Sequence, residues 1–295
     1  MQNIQLARSL LKAALPFADT ARRLKRRLVP YQPNMAHNGF TFDDALDMVD
    51  ALRAAGVGLE GEMLEVGSGW TPIAPMLFHM AGVTHVTLTD LERLYDETSI
   101  PTAAAFLRPR LPEAARRLGM EVAALEARMA EFAPAYICPW QPGRHPADSV
   151  DIAVSRAVME HVPAEDVAGL FRDLLRVVRP GGHMCHSIDN TDHWEHGDGR
   201  GSLMSFLCYP AESLRWRLAS MNIQGYTNRF RHSDYLAAAR EAGWIIVSER
   251  ARVPPKVLGE VRQMRLEGRL APEFAGRPLE DLAATATLIV ARKPG

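Results

Sequence analysis

The chain has 295 residues, 47% hydrophobic and 23% charged, and its 34 Lys and Arg against 35 Asp and Glu give a formal net charge of -1. These proportions exclude a disordered, collagen-like or disulfide-framework chain, and the length suffices for one large core with a small subdomain. The near-neutral balance removes the electrostatic reason to expect a nucleic-acid partner.

Three widely spaced cysteines, Cys138, Cys185 and Cys208, form no CxxC pair, so a reducing, cytoplasmic setting is expected. No apolar run approaches the roughly 20 residues of a membrane-spanning helix. The first apolar stretch is broken by Arg8 and Lys12 and its densest charge follows it, the reverse of a secretory leader.

Residues 1–40 read as a basic helical cap. Arg8, Lys12, Arg22, Arg23, Lys25, Arg26 and Arg27 are opposed only by Asp19, while Leu6, Leu10, Leu11, Ala14 and Leu15 recur at helical spacing up to a break near Pro16. The apolar stripe suits packing on the main domain; the charge leaves open a weak peripheral contact with an anionic membrane surface. Asn34 to Gly39 read as loop. Thr41 offers a helix N-cap, with Ala45, Leu46, Val49, Leu52 and Ala55 following up to Gly56.

From there apolar runs alternate with helical patterns. Met63 to Val66 is a strand, Pro72 to Met80 a helix and Val83 to Thr89 a strand. Ala103 to Arg128 is helical with a break at Pro112, and Ala135 to Cys138 is a short weak strand. Val150 to Ser155 is a strand, Ala164 to Val178 a helix and Gly182 to Ile188 a strand. This rhythm predicts a parallel sheet covered by helices. It stops after Ile188. Residues 41–188 therefore form a core, residues 189–232 an inserted substrate-facing or lid region, and residues 233–295 the C-terminal part of the sheet. In that last part Ser233 caps a helix through Ala242, Trp244 to Ser248 is a strand, and a Pro254, Pro255 and Pro272 stretch leads to a strand over Ala284 to Ala291.

The stretch Met63-Leu64-Glu65-Val66-Gly67-Ser68-Gly69 is a strand ending in an acid and a glycine turn. Gly67 and Gly69 allow close backbone approach to a ligand that faces the next helix N-terminus. Glu65 would repel a pyrophosphate but suits a cationic amine or sulfonium. Asp90 ends the next strand, where a carboxylate accepts hydrogen bonds from ribose hydroxyls. The two acids together favour a nucleoside ligand without phosphates.

These residues resemble the class I S-adenosylmethionine-dependent methyltransferases. Glu65 to Gly69 is similar to their E/D-x-G-x-G motif, with Thr71 where a third glycine is frequent, and Thr89-Asp90-Leu91 is similar to their acidic ribose turn. Asp148 to Ser155 with the trailing Glu160-His161-Val162, and Leu174 to Gly182, resemble the segments around their fourth and fifth strands. The resemblance implies a Rossmann-like α/β fold: a seven-stranded, mostly parallel sheet with an antiparallel last strand and helices on both faces. It also implies S-adenosyl-L-methionine as cofactor. Glu65, Gly67, Ser68 and Gly69 would then hold its methionine end, and Asp90 with Leu91 its ribose and adenine. Ile137 and Cys138 fall where the family contacts adenine, though its usual acid is missing there, and Ser155 and Arg156 would face the sulfonium.

The expected reaction is O-methylation of a small molecule or glycan-type hydroxyl, with N- or C-methylation and cofactor binding without catalysis as alternatives. An alcohol acceptor needs a base. His186 and His193 lead as that base, with Asp189 beside them, at or past the fifth strand end. Strand alternation puts His183, Cys185 and Ser187 on one face and Met184, His186 and Ile188 on the other. Those histidines show no recognised metal-ligand spacing, so no metal ligand set is expected. His161 reads as shaping the turn after the fourth strand. Arg156, Arg229 and Arg231 are candidates for clamping an anionic acceptor, against the commoner solvated arginine. A nicotinamide-dependent oxidoreductase is disfavoured because Pro72 stands where its third glycine belongs. The oligomeric state is not legible.

Overall fold

A computed structural model describes residues 35–193, 202–214, 216–217 and 226–295 of the chain. The basic segment expected to form a cap lies outside the described residues up to residue 34. The first described helix, α1, is Met35–Ala54. It begins before the expected N-cap at Thr41. Asn38, 1% exposed, sits one turn ahead of Phe42, Ala45, Leu46, Val49 and Leu52, so the buried stripe extends back through the expected loop.

The strands are β1 (Glu62–Val66), β2 (His85–Thr89), β3 (Ala135–Ile137), β4 (Val150–Arg156), β5 (Val178–Asp189), β6 (Ile245–Arg252) and β7 (Ala286–Arg292). They form one sheet in the order β3-β2-β1-β4-β5-β7-β6, and β7 runs antiparallel to both its neighbours. Every other adjacent pair is parallel. The order reverses at β1 and β4, which opens a crevice beyond the carboxyl ends of these strands.

Strand alternation divides the core into two layers. Met63, Ile152, Val154, Cys185 and Val290 face α1, α2 (Ile73–Ala81), α3 (Ser99–Leu107), α4 (Leu111–Leu118) and α5 (Val122–Glu131). Leu64, Ala153, Met184, Ile188 and Ile289 face α6 (Ala164–Val177) and α7 (His232–Glu241). A leucine or phenylalanine fully buried in either layer contributes about 1.5–3 kcal/mol. The central strands are apolar on both faces because both faces are covered.

Several boundaries differ from expectation. The break expected at Pro112 falls instead at a 3-10 turn, Arg108–Arg110, and at Gly119, which caps α4 with φ 66°. Pro112 lies in the first turn of α4, where its missing N–H costs nothing. Ser233 does not cap α7. The Asp234 carboxylate accepts from the Arg231 backbone N–H at 2.7 Å, and the Ser233 hydroxyl donates to Asp281. The proline-rich stretch is helical: α8 (Pro255–Leu266), α9 (Pro272–Ala275) and α10 (Leu279–Leu282) each start at or just after a proline. Val257, Val261, Phe274 and Leu282 pack there with Met204, Phe206, Leu207 and Trp216 from the expected insertion, a third apolar cluster apart from the sheet. Among the described residues no helix is long and apolar enough to cross a membrane.

Candidate functional site: two acidic tips and a histidine-carboxylate edge

β1 and β2 pair in register through Glu65↔Leu88 and Val66↔Thr89, so their carboxyl ends lie side by side. Between β1 and α2 the chain turns through Gly67, φ 71°, and Gly69, φ 65°. A Cβ on Gly67 would lie 2.6 Å from Val158 Cγ2, so only glycine fits there, whereas Gly69 faces open space and is required by its dihedral alone.

The turn is braced from β2. The N–H groups of Gly67 and Ser68 donate to the Thr89 carbonyl, both at 2.9 Å. The Thr89 hydroxyl donates to the Glu65 carbonyl at 2.7 Å, and its N–H to Ser68 Oγ at 3.1 Å. Asp90 accepts from the Gly69 N–H at 3.0 Å and the Leu91 N–H at 2.8 Å. Burial raises the Asp90 carboxyl above its ordinary value, against the pull of those donors.

Glu65 is 5% exposed and its Oε2 has no hydrogen-bond partner. Burial pushes its carboxyl up to about 7, the Ser68 hydrogen bond opposing and the Asp90 charge adding. An unpartnered buried carboxylate oxygen is a costly arrangement that a cationic ligand relieves. Leu91 is 78% exposed, and Ile137, whose carbonyl accepts from the Asp90 N–H, is 40% exposed. Cys138 is half-buried and free. A buried acid, a glycine turn, a second acid and bare apolar side chains suit an adenosyl sulfonium and would repel a pyrophosphate.

The adjoining edge is formed by the ends of β4 and β5. After β4 the chain passes Ala157 and Val158, the residue against Gly67, into a 3-10 turn, Met159–His161. Glu160 is 1% exposed and neither carboxylate oxygen has a hydrogen-bond partner. Burial raises its carboxyl well above the usual range, and the charge of Asp189 adds to this.

His161 Nδ1 lies 2.8 Å from the Tyr226 carbonyl, which accepts its proton and leaves Nε2 as the lone-pair nitrogen. Burial lowers its ring below the usual histidine value, and His193 adds to that. The two rings stand 4.9 Å apart. His193 Nε2 is 3.5 Å from Asp189 Oδ2. Burial alone would raise Asp189, but its bonds with His193 and Thr191 outweigh this and hold it well below the carboxylate range. Asn228 fixes the turn, its N–H donating to the Glu160 carbonyl and its amide to the carbonyls of Met159 and Val162.

The fold thus brings His193 and Asp189 together but not His186. His186 is fully buried on the α6 side, in the alternation expected, with Nδ1 2.8 Å from the Ser155 hydroxyl and its ring against Phe171. Burial pushes it down to about 3. It has neither the access nor the basicity of a catalytic base, and Ser155 shares its interior position. Arg156 Nε binds Asp44 of α1 at 3.0 Å.

The other two candidate arginines, Arg229 and Arg231, are not solvated. Arg229 pairs with Glu273 and covers Trp216, and Arg231 is fully buried with Nη1 donating to the Asn190 carbonyl at 2.9 Å. Asp192 is buried and accepts from Ser205. Glu160 was missed as a site residue by sequence reasoning. Its signal is an acid directly after two apolar residues, Val158-Met159-Glu160, a few positions past a central strand.

Residues 20–249 match a family described as methyltransferase domain. A search of curated proteins returns no match. Among solved structures, the chain is similar to an S-adenosylmethionine-dependent methyltransferase from Mesorhizobium loti, at 19% identity and TM-score 0.47, covering 85% of this chain and 99% of that one. It is also similar to Haemonchus contortus phosphoethanolamine N-methyltransferase 2 in complex with S-adenosyl-L-methionine, at 15% identity and TM-score 0.47, covering 90% of this chain and 59% of that one. The assignment rests on the family match, which spans most of the chain and coincides with the acidic tips described above: the chain belongs to the class I S-adenosylmethionine-dependent methyltransferases.

Proposed function

We propose that this methyltransferase transfers the methyl group to a hydroxyl of a small molecule or glycan. S-adenosylmethionine supplies an electrophilic methyl on a sulfonium, whose leaving group is a neutral thioether. The chain's own task is then to hold both partners in line, exclude water and provide for the acceptor's proton.

Glu65 and the Gly67-Ser68-Gly69 turn hold the cationic methionine end, Glu65 Oε2 being the unsatisfied acceptor. Asp90 holds the ribose, and Leu91, Ile137 and Cys138 pack on adenine. Val158, wedged against Gly67, couples this cradle to the turn carrying Glu160 and His161, so the acceptor edge adjoins the donor site.

The observation that carries the hydroxyl reading is the His161–His193 ring pair at 4.9 Å with Asp189 beside it. A carboxylate acceptor has no proton to lose and needs no such edge; an alcohol does. His193 and Asp189 stand at the edge from which that proton leaves, and His186 does not. The test is transfer of labelled methyl to a panel of sugars, alcohols, amines and carbon acids. Labelled ethers are expected. Transfer confined to nitrogen or carbon would replace the reading, and cofactor binding with no transfer to any acceptor would favour a non-catalytic binder.

A further inference from the structure

We propose that Glu160, His161 and His193 form a binding site for one divalent transition-metal ion, of the zinc or cobalt type, at the junction of the β4 and β5 tips. One donor atom from each of the three residues lies within 4.8 Å of the others. The set comes from two strand ends far apart in sequence, which is why linear spacing does not reveal it.

Glu160 points to a ligand. It is almost wholly buried, and neither of its oxygens has a hydrogen-bond partner. A buried carboxylate is normally bonded or bound to a cation, because desolvating it otherwise costs several kcal/mol. The charge of Arg156, whose guanidinium also binds Asp44, offsets that burial only in part.

His161 is oriented as a ligand. Its Nδ1–H donates to the Tyr226 carbonyl, which fixes the tautomer with a lone pair on Nε2, the arrangement that sits behind most metal-bound imidazoles. Asp189, 3.5 Å from His193 Nε2, is the carboxylate behind the second imidazole. Two acids and two neutral imidazoles balance a divalent charge.

Mixed imidazole and carboxylate donors select zinc or cobalt over magnesium, which prefers oxygen donors and retained water. Ligands of a tetrahedral zinc site lie about 3.4 Å apart for bonds of about 2.05 Å, so small side-chain rotations close the set. The ion would lower the pKa of a hydroxyl oxygen bound to it, the proton passing to solvent water. This consequence rests on the hydroxyl reading; the site itself does not.

The test uses the full chain after treatment with a chelator, without cofactor or acceptor. Calorimetric titration with zinc chloride should show one tight equivalent, and cobalt(II) should give visible absorption bands of a low-coordinate imidazole-carboxylate site. Magnesium chloride at the same concentration should not displace the zinc. Glu160→Gln and His193→Gln should each weaken zinc binding at least about 10–100-fold, since loss of an orienting partner alone has that effect. Asp189→Asn should fall in that range.

S-adenosylmethionine affinity close to wild type checks that each variant is folded. Zinc binding unchanged in both ligand variants, or no stoichiometric binding by the folded wild-type chain, overturns the site. No zinc binding by a folded chain that still methylates hydroxyls would overturn the site and leave the hydroxyl reading standing. Zinc binding with no transfer to hydroxyls would do the reverse.

Discussion

The cradle at the tips of β1 and β2 and the edge at the tips of β4 and β5 occupy equivalent places on one sheet, yet they are built differently. The cradle is local: two short strand-turn segments supply its residues, and backbone groups of Gly67, Ser68 and Thr89 set its shape. The edge is convergent: Glu160 and His161 come from the turn after β4, Asp189 from the end of β5, His193 from beyond it, and Tyr226 and Asn228 from the segment that leads back to α7. A locally built site tolerates little change in its glycines and acids. A convergent one depends on side chains whose partners sit on another segment.

The largest effect that sharpens this contrast is expected at Gly67. Gly67→Ala meets both a positive φ and Val158, and should destabilise the fold by at least about 2 kcal/mol. Gly69→Ala meets only the dihedral and should cost about 1–2 kcal/mol. Chemical denaturation of the two variants checks the order; equal losses would mean that the Val158 contact is not the constraint.

Glu65 is next. Its folded carboxyl is raised from 4.5 to about 7, so the folded protein holds a proton that the unfolded chain releases. Its stabilising contribution is fully present below about 4.5 and is lost as pH rises through 7, on the order of 3 kcal/mol in all. A cationic ligand favours the ionised form, so cofactor affinity should rise with pH by up to about tenfold per unit and level off above 7. Glu65→Gln should flatten that profile in calorimetry across pH 5 to 8. A wild-type profile already flat would break the pairing of Glu65 with a cation.

Asp90→Ala should weaken S-adenosylmethionine binding by about 10–100-fold, the value of a charged hydrogen-bonding group. Its effect on thermal unfolding should be small. Full affinity in that variant would move the ribose elsewhere.

His186→Gln tests the interior against the edge. Removal of its bond with Ser155 should cost about 1–3 kcal/mol of stability. Turnover per folded enzyme should hardly change, whereas His193→Gln should lower it. The smallest effect is expected at Asp44→Asn, which removes a partly exposed ion pair with Arg156 and should cost at most about 1 kcal/mol in a melting experiment.

The legibility of the molecule follows the same division. The alternation of strands and helices through β5, and the acids at the tips of β1 and β2, were readable because their signals are contiguous: apolar runs, a glycine pair, an acid at each strand end; the antiparallel β7 was expected only from the family resemblance. The face assignment along β5 was readable too, since alternation is a local property. What that reading lacked was depth along the strand. His186 lies on the helix-covered interior, although its distance in sequence from the strand end resembles that of an edge residue. Glu160 escaped attention because burial without partners is a property of the assembled fold. The early start of α1 has the same origin, burial of Asn38 overriding its loop preference.

Arg231 gives the inserted region its anchoring. The chain leaves the sheet near Asn190 and returns at Arg231, and the guanidinium of the second residue grips the carbonyl of the first, with further bonds to the carbonyls of Ala284 and Asp281. Departure and return points are thereby riveted together beside β7. With both ends clamped, Tyr226 and Asn228 are held in place against the turn that carries His161, so the shape of the edge at β4 and β5 is set from outside the sheet.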